Sequence, residues 1–427
     1  MKIEELYALF LAADGISIDT REIRKNQLFF ALKGKQLNGN ALAAEAIEKG
    51  ASYAIIEEEQ FAVNNQCIIV KDVLKTLQQL AHYHLKKVQP KAIIAITGSN
   101  GKTTTKELVN AVLATTYQTH YTKGNLNNHI GIPLTLLAMS YKTEIAIIEM
   151  GANHQKEIEE YCTYVEPTHG IITNCGKAHL EGFGSIEGIR KGKGELFDFL
   201  KNNDGTVLVN GDDTVLMQMI HDRVISNYIT YGNANTNNYY SNIEIENPFL
   251  KISFEGIEIN THLFGSYNYS NIMCAIAFGK YFNVTNDNIK LAIEQYQPTN
   301  ARSQVITKNG NSIILDSYNA NPTSMQHALE SFAKSSNIKK VVVLGDMFEL
   351  GGYAAIEHQK IADLAQSLPF DKIVLVGNEF YKTDTHKNVL KFKTTAEAQQ
   401  WFSKANLNAV QILLKGSRSM KMEKIIE

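Results

Sequence analysis

The residues best suited to chemistry stand together at Thr97-Gly98-Ser99-Asn100-Gly101-Lys102-Thr103-Thr104. The apolar, β-branched run Ala92–Ile96 before them reads as a buried strand, and Thr103–Ala114 after them has helical periodicity. A glycine-bearing turn between strand and helix aims several backbone N–H groups and the positive end of the helix at one spot, which suits a phosphate. Lys102 would add a point charge for the β- and γ-phosphates, and the Thr103 hydroxyl a Mg²⁺ ligand. The first glycine of the longer G-x-x-x-x-G-K-[ST] pattern falls on Ile96, so the shorter T-G-S-N-G-K-T form stands here. A plain βα turn is the bland alternative, and it accounts poorly for Lys-Thr after Gly at such a junction. The stretch is read as a nucleoside triphosphate site.

Other polar clusters fall where an open parallel sheet places a ligand, beyond the carboxyl ends of strands. Lys123–Pro133 is a Gly/Asn-rich loop entering a helix at Leu134–Met139. The run Glu144–Ile148 reads as a strand ending at Glu149, the expected position for a Mg²⁺ ligand beside a triphosphate. His169–Thr173 is a further strand, followed by Asn174 and His179, which is either a structural histidine or a ligand of the same pocket. Gly182–Gly188 follows no strand and its last glycine is displaced, so a dinucleotide turn is rejected. Ile189–Glu195 reads as a solvated basic loop before a helix at Leu196–Leu200, and nothing in its physics singles out Lys193. Asn268 and Asn271 lie one helical turn apart, where capping is favoured over reading an adenine edge.

The elements that must hold these residues divide the 427-residue chain into three parts: 1–86, 87–298 and 299–427. The first alternates short strands (Leu28–Leu32, Ala51–Ile56, Cys67–Val70) with helices (Ala41–Lys49, Val73–Lys86), a small α/β unit preceded by the polar turn Ser17–Arg21. The second carries the phosphate loop on a mostly parallel sheet, with strands at Thr206–Val209 and around Ile243–Phe254 and an apolar helix at Ile272–Tyr281. After a boundary at Gln297–Arg302, the third alternates strands (Ser312–Leu315, Lys340–Leu344, Lys372–Val376, Val410–Leu414) with helices (Pro322–Lys334, Ala354–Gln366, Ala396–Ala405). That pattern is doubly wound and Rossmann-like, without a dinucleotide turn. Three of its strand ends are polar: Asp316–Asn321, Gly345–Gly351 and Lys415–Arg418. They suggest a second substrate surface closing on the nucleotide. Trp401 reads as helix core packing.

Composition narrows the class. A net charge of −2 leaves no polycation for nucleic acid, and no apolar run approaches the length of a membrane span. The N-terminus lacks the features of a signal peptide. Four scattered cysteines form no Cys-x-x-Cys pair and read as reduced thiols of a cytoplasmic protein, with no zinc or disulfide framework.

T-G-S-N-G-K-T-T from Thr97, E-M-G-A-N from Glu149, I-T-N-C-G-K-A-H-L-E-G-F-G-S from Ile172, K-G-E from Lys193, D-S-Y-N-A-N-P-T-S-M from Asp316, L-G-D-M-F-E-L-G from Leu344 and K-G-S-R from Lys415 occur in that order. Together they resemble the Mur ligases, over the chain from about Asp19 to Arg418. The sequence departs from the family's usual pattern at Gln36–Asn40, where an Asp-Gly-His is frequent, and at Ala301, where a glycine is usual. The resemblance implies an ATP-dependent amide ligase that joins D-Ala-D-Ala to UDP-N-acetylmuramoyl-tripeptide through an acyl phosphate. It implies Thr97–Thr104 on the nucleotide phosphates, Thr103 and Glu149 on one Mg²⁺, and Glu149, His179 and a carbamylated Lys193 on a second. It places Asn268 and Asn271 near adenine, and Arg302 and Asp316 at the phosphate and ribose ends. Ser17, Thr20 and Arg21 would hold the UDP-sugar, with Asn128, Tyr318, Asn319, Asn321, Lys415 and Ser417 as further substrate-binding residues. The catalytic set so implied is Lys102, Glu149, His179, Lys193 and Arg302, in a monomer. A folylpolyglutamate-type ligase and a nucleotide-dependent binding protein without turnover are the alternatives.

Overall fold

The computed structural model describes residues 1–34, 36–245, 248–299, 301–335, 339–386 and 388–427. Asn300, inside the expected boundary Gln297–Arg302, and residues 246–247, inside the expected strand region Ile243–Phe254, lie outside the described set. The chain forms two compact units, one of Met1–Ala95, Gln118–Gly151 and Glu157–Thr168, the other of Ile96–Tyr117, Ala152–Lys156 and His169–Glu427.

In the first unit, Ile16–Ser17, Leu28–Phe30, Tyr53–Ile56 and Cys67–Ile69 make a four-stranded parallel sheet in that order. Leu28, Phe29 and Phe30 are all buried, as expected of a parallel strand covered on both faces. The expected helix Ala41–Lys49 is two pieces, a 3₁₀ turn at Gly39–Leu42 and an α-helix at Ala43–Glu48. The turn is tight because a Cβ on Gly39 would lie 2.4 Å from the Leu32 carbonyl oxygen. Helix Val73–Val88 starts on Asp72, whose side chain accepts from the Lys75 N–H, and buries Val73, Leu77, Leu80, Ala81, His84, Leu85 and Val88 along one face. Strands Thr119–Tyr121 and Ile145–Glu149 pair in parallel in the same unit.

The second unit holds the strands His169–Ile172, Thr206–Asn210, Tyr228–Gly232 and Tyr239–Tyr240, adjacent in that order and parallel. Strand Ala92–Thr97 carries the chain from the first unit into the second and ends in the phosphate loop. A three-stranded antiparallel sheet follows, Asn242–Ile245, Phe249–Phe254 and Ile257–Phe264. Its last two strands turn on Glu255 (φ 47°) and Gly256 (φ 79°), the two left-handed residues of a tight hairpin.

The last sheet runs in the order Gln304–Lys308, Asn311–Asp316, Gln411–Lys415, Lys340–Gly345, Lys372–Val376, Val389–Phe392. Only its first pair is antiparallel, a hairpin on Asn309 and Gly310. The two outermost strands were not among the expected elements; their short, half-buried runs, interrupted by polar residues, give a weaker signal than the continuous apolar runs inside. The final strand, Gln411–Lys415, inserts between the first and second parallel strands, so the three polar strand ends become neighbours. Trp401 is partly buried against this core. Among the described residues no helix is long and apolar enough to cross a membrane.

Candidate active site

The phosphate loop is built before any ligand arrives. Gly98 (φ 140°) and Gly101 (φ 80°) occupy backbone conformations that side chains disfavour, and space is closed as well. A Cβ on Gly98 would lie 2.0 Å from Thr173 Oγ1, and one on Gly101 would lie 2.6 Å from Asn271 Oδ1. The end of the neighbouring strand grips the loop. Ser99 N–H donates to the Asn174 carbonyl (2.9 Å), Asn100 N–H to Asn174 Oδ1 (3.2 Å), and Thr173 Oγ1 and Asn174 Nδ2 to the Asn100 carbonyl (2.5 and 3.1 Å). Lys102 Nζ curls back onto the carbonyls of Gly98 (2.8 Å) and Ser99 (3.2 Å), which holds the cation over the loop. Thr103, Thr104 and Thr105 open the following helix and are buried. Such a cradle fits a triphosphate. Thr103 is an oxygen donor of the kind Mg²⁺ takes alongside substrate phosphates, without a dedicated protein cage. Among the described residues no three His, Cys, Asp or Glu side chains converge as such a cage.

Asn268 and Asn271 do not cap their helix, Tyr269–Tyr281, against expectation. Asn271 Nδ2 donates to Asn268 Oδ1 (2.9 Å), Asn268 Nδ2 to the Phe264 carbonyl (2.8 Å), and Thr105 Oγ1 to Asn271 Oδ1 (3.0 Å). The pair is buried and braces the phosphate-loop helix.

Lys193 requires a correction. Residues Ile186–Asn202 are one helix, opened by Ser185 capping the Gly188 N–H, and not a solvated loop followed by a helix. Lys193 is 1 % exposed; its Nζ donates to the Ala152 carbonyl (3.1 Å) and lies 5.1 Å from the centre of the Phe183 ring. The glycines that suggested a loop are packing contacts. A Cβ on Gly188, Gly192 or Gly194 would come within 2.1 Å of the Phe183 oxygen, 2.6 Å of the Phe183 ring and 2.2 Å of Arg223 respectively.

His179, at φ 53°, precedes the short helix Leu180–Phe183, and its Nδ1 lies 2.5 Å from Glu349 Oε2. Glu349 is itself left-handed (φ 63°), and its carboxyl is held below the usual carboxylate range by His179 first and also by Lys102. Two bulky residues in rarely populated backbone conformations, meeting side chain to side chain, mark a place where the surroundings sustain strain. Glu349 stands in the polar cluster Gly345–Gly351, yet nothing in its spacing separated it from its neighbours. The same end of the unit joins Asn321 Nδ2 to Asn100 Oδ1 (2.6 Å) and Lys177 Nζ to the buried Glu357 (3.0 Å). Asn321 meanwhile caps the helix Pro322–Lys334 in a reciprocal box with Ser324.

Asp316 and Lys415 pair at 2.6 Å, nearly buried, and Asp316 also accepts from the Ser303 N–H (3.2 Å). Arg302 lies flat on Tyr318, its guanidinium carbon 3.6 Å from the ring centre. Ala301 before it sits at φ 54°, where glycine would be unstrained. Asn319 binds the Ala320 N–H and receives Lys415 on its carbonyl, and Ser417 Oγ accepts from the Phe348 N–H. Burial pushes the Cys175 thiol up to about 12, so it stays protonated.

Glu149 belongs to the first unit. It ends its strand, is 1 % exposed, and accepts from Asn127 Nδ2 (2.7 Å) while its N–H donates to Thr122 Oγ1 (3.0 Å). Asn128 has a structural task, accepting from the Ile130 and Gly131 N–H groups at the mouth of a helix. In the Ser17–Arg21 turn, Ser17 Oγ donates to the Asp19 carbonyl, and the Lys49 ammonium to the Thr20 carbonyl. Arg21 is 85 % exposed and meets Asp19 at 2.5 Å, holding the Asp19 carboxyl at about 2.

Three family models match in order: the Mur ligase family, catalytic domain, over residues 13–85; the Mur ligase middle domain over 96–279; and the Mur ligase, glutamate ligase domain, over 301–418. The chain is 35% identical to UDP-N-acetylmuramoyl-tripeptide–D-alanyl-D-alanine ligase of Bacillus subtilis, over 97% of this chain and 92% of that one. A crystal structure of MurF from Acinetobacter baumannii superposes with a TM-score of 0.87 at 29% identity, covering 99% and 97% of the two chains. A MurF ligase from Thermotoga maritima, solved with ADP, shares the fold at TM-score 0.86 and 24% identity, with 97% and 96% covered. From full-length similarity above 30% and three ordered domain matches, this chain belongs to the Mur ligase family.

Proposed function

We infer that this protein is an ATP-dependent, ADP-forming ligase that joins D-Ala-D-Ala to UDP-N-acetylmuramoyl-tripeptide, completing a pentapeptide precursor of peptidoglycan. What carries the inference chemically is the pre-built loop Gly98–Thr103, with Lys102 folded over it and Asn100 tied to Asn321 at the mouth of the last sheet. A carboxylate and an amine at neutral pH form a salt, so one oxygen must first become a leaving group. The tripeptide carboxylate attacks the γ-phosphorus, the β–γ bridge breaks, and ADP leaves an acyl phosphate. The dipeptide amine, having lost a proton, then adds to the acyl carbon, and phosphate departs from the tetrahedral intermediate. Such transfers ask mainly for alignment and charge neutralisation. Lys102 and the loop N–H groups orient the phosphates, Arg302 meets the transferred phosphate, Asp316 the ribose, and Asn268 and Asn271 lie towards adenine. Ser17, Thr20 and Arg21 hold the UDP-sugar; Asn128, Tyr318, Asn319, Asn321, Lys415 and Ser417 serve the peptide substrates.

Two magnesium ions would supply charge neutralisation at the phosphates, with Thr103 and Glu149 on one and Glu149, His179 and a carbamylated Lys193 on the other. A lysine of ordinary pKa, about 10.4, is neutral only about once in 2,500 molecules at pH 7. Carbamylation therefore needs a site that favours the neutral amine or traps the anionic product, as two magnesium ions beside it would. The segments 1–86, 87–298 and 299–427 take UDP-sugar, ATP and the incoming amine respectively, in a cytoplasmic monomer. Phosphate release measured with tripeptide precursor, with and without D-Ala-D-Ala, tests the assignment: release must depend on all three substrates. Phosphate release from ATP alone, unchanged by the others, would sink it.

A further inference from the structure

Residues 174–177, which follow the strand that grips the phosphate loop, are bonded on both sides. Towards the loop, Asn174 takes the Ser99 and Asn100 N–H groups and returns its Nδ2 to the Asn100 carbonyl, while Ser99 Oγ donates to the Gly176 carbonyl (2.7 Å). Away from the loop, the Lys177 N–H donates to Thr323 Oγ1 (2.9 Å) and Lys177 Nζ to Glu357 Oε1 (3.0 Å). Thr323 lies in the first turn of the helix Pro322–Lys334, and Glu357 on the helix Ala354–Ser367. Both helices open just after polar strand ends of the last sheet, and Asn321, which caps the first, meets Asn100 itself (2.6 Å). Gly176 permits the approach, because a Cβ there would lie 2.9 Å from Thr323 Oγ1 and 3.1 Å from its Cβ. The Glu357 side chain is 7 % exposed, and such a carboxylate is costly to leave without a cation. Lys360 Nζ lies 3.0 Å from the same oxygen, but it comes from Glu357's own helix and is 58 % exposed, so it ties nothing to the loop. Lys177 is the cation that links the phosphate loop, through one short segment, to both helices.

We propose that Lys177 is a positioning residue: through Thr323 and Glu357 it holds the phosphate loop in register with the strand ends of the last sheet, and so keeps water from the acyl phosphate until the amine adds. The consequence for water rests on the ligase reading above; the bridge itself does not. The acyl phosphate forms where the γ-phosphate was, over the loop, so a loop that shifts against those strand ends opens a path for water. A water oxygen then adds to the acyl carbon, a proton goes to solvent, and phosphate leaves with the C–O bonding pair. The tripeptide carboxylate is regenerated, and one ATP is spent without an amide.

Two measurements on the whole protein separate the bridge from its consequence. The first is amide hydrogen exchange over Ser99–Thr103 without ligands, read by mass spectrometry. The second is the ratio of phosphate released to amide formed with ATP, tripeptide precursor and D-Ala-D-Ala, expected to be about one in wild type. K177M should exchange this segment about five-fold faster, the worth of one hydrogen bond, and raise the ratio to about two or more. T323V, which removes the backbone tie and leaves the ion pair, should move both readings the same way by a smaller factor. K360M should move neither, since it leaves the bridge intact. Partial unfolding would lower both products together and keep the ratio, which distinguishes positioning from loss of folded enzyme. K177M and T323V exchanging at wild-type speed would overturn the proposal, as would a K360M that matches K177M, or faster exchange with an unchanged ratio. If K177M fails to fold, T323V against K360M decides by the same two readings. A wild type that makes no amide overturns the ligase reading, while the exchange comparison still upholds or overturns the bridge.

Discussion

The phosphate loop and the Ser17–Arg21 turn are both short polar segments beside parallel strands, and they are held in opposite ways. The first is clamped by partners distant in sequence: Thr173 and Asn174 just past the end of the neighbouring strand, Asn271 on a helix, Asn321 at the cap of the helix Pro322–Lys334. The second is held mostly by itself, Ser17 to Asp19 and Asp19 to Arg21, with Arg21 in water. A clamped loop is pre-organised, so its geometry carries function and its substitution disturbs structure. A self-held turn can change without cost to the fold, because exposed ion pairs contribute little.

Lys102→Ala should expose the contrast most sharply, lowering turnover about 10³-fold while circular dichroism stays native, since an aligned charge near a phosphate is lost. Normal turnover would break the comparison at once. Lys193→Ala extends it to a buried position outside both loops: activity is expected to be abolished and not restored by added bicarbonate, and wild-type turnover would remove Lys193 from the mechanism.

A third test concerns pH. Burial lowers His169, at the start of the strand that grips the loop, to about 4, and its Nε2 meets Tyr281 OH at 3.2 Å. Between about pH 6.5 and pH 4 the unfolded chain binds the proton and the folded one does not, so stability falls as pH drops through that window. For a half-buried ring the loss is about 2 kcal/mol, and His169→Gln should flatten that part of a melting-temperature profile. A profile just as steep in the variant would assign the loss elsewhere. The smallest effect is expected from Arg21→Ala: a KM for the UDP-linked substrate raised about ten-fold, with the melting temperature unchanged. A large drop in melting temperature would show that the turn is structural after all.

These contrasts follow what could be read without coordinates. Thr97–Thr104 was legible because its chemistry is local: glycines, a lysine and a threonine at fixed spacing between strand and helix. The inner strands of the last sheet were legible as continuous apolar runs. Lys193 was not, because its helix contains Gly188, Gly192 and Gly194, which lower helical propensity and matter only where Phe183 and Arg223 press against them. The Asn268–Asn271 pair was misread as a cap, since its partner Thr105 is 166 residues from Asn271. Glu349 was visible only as a member of a polar cluster.

By itself the amino-acid order determined what depends on neighbours along the chain: the phosphate loop, most helices and strands, and the succession of motifs that marks the family. Tertiary structure decided which polar strand ends stand side by side, by inserting Gln411–Lys415 between two earlier strands, and which charges pair there. It also decided that Lys193 is buried and that His179 faces Glu349. The physical reason is range. Backbone preference and hydrophobic period act over a few residues, whereas burial, ion pairing and cavity shape come from groups that only the folded chain brings together.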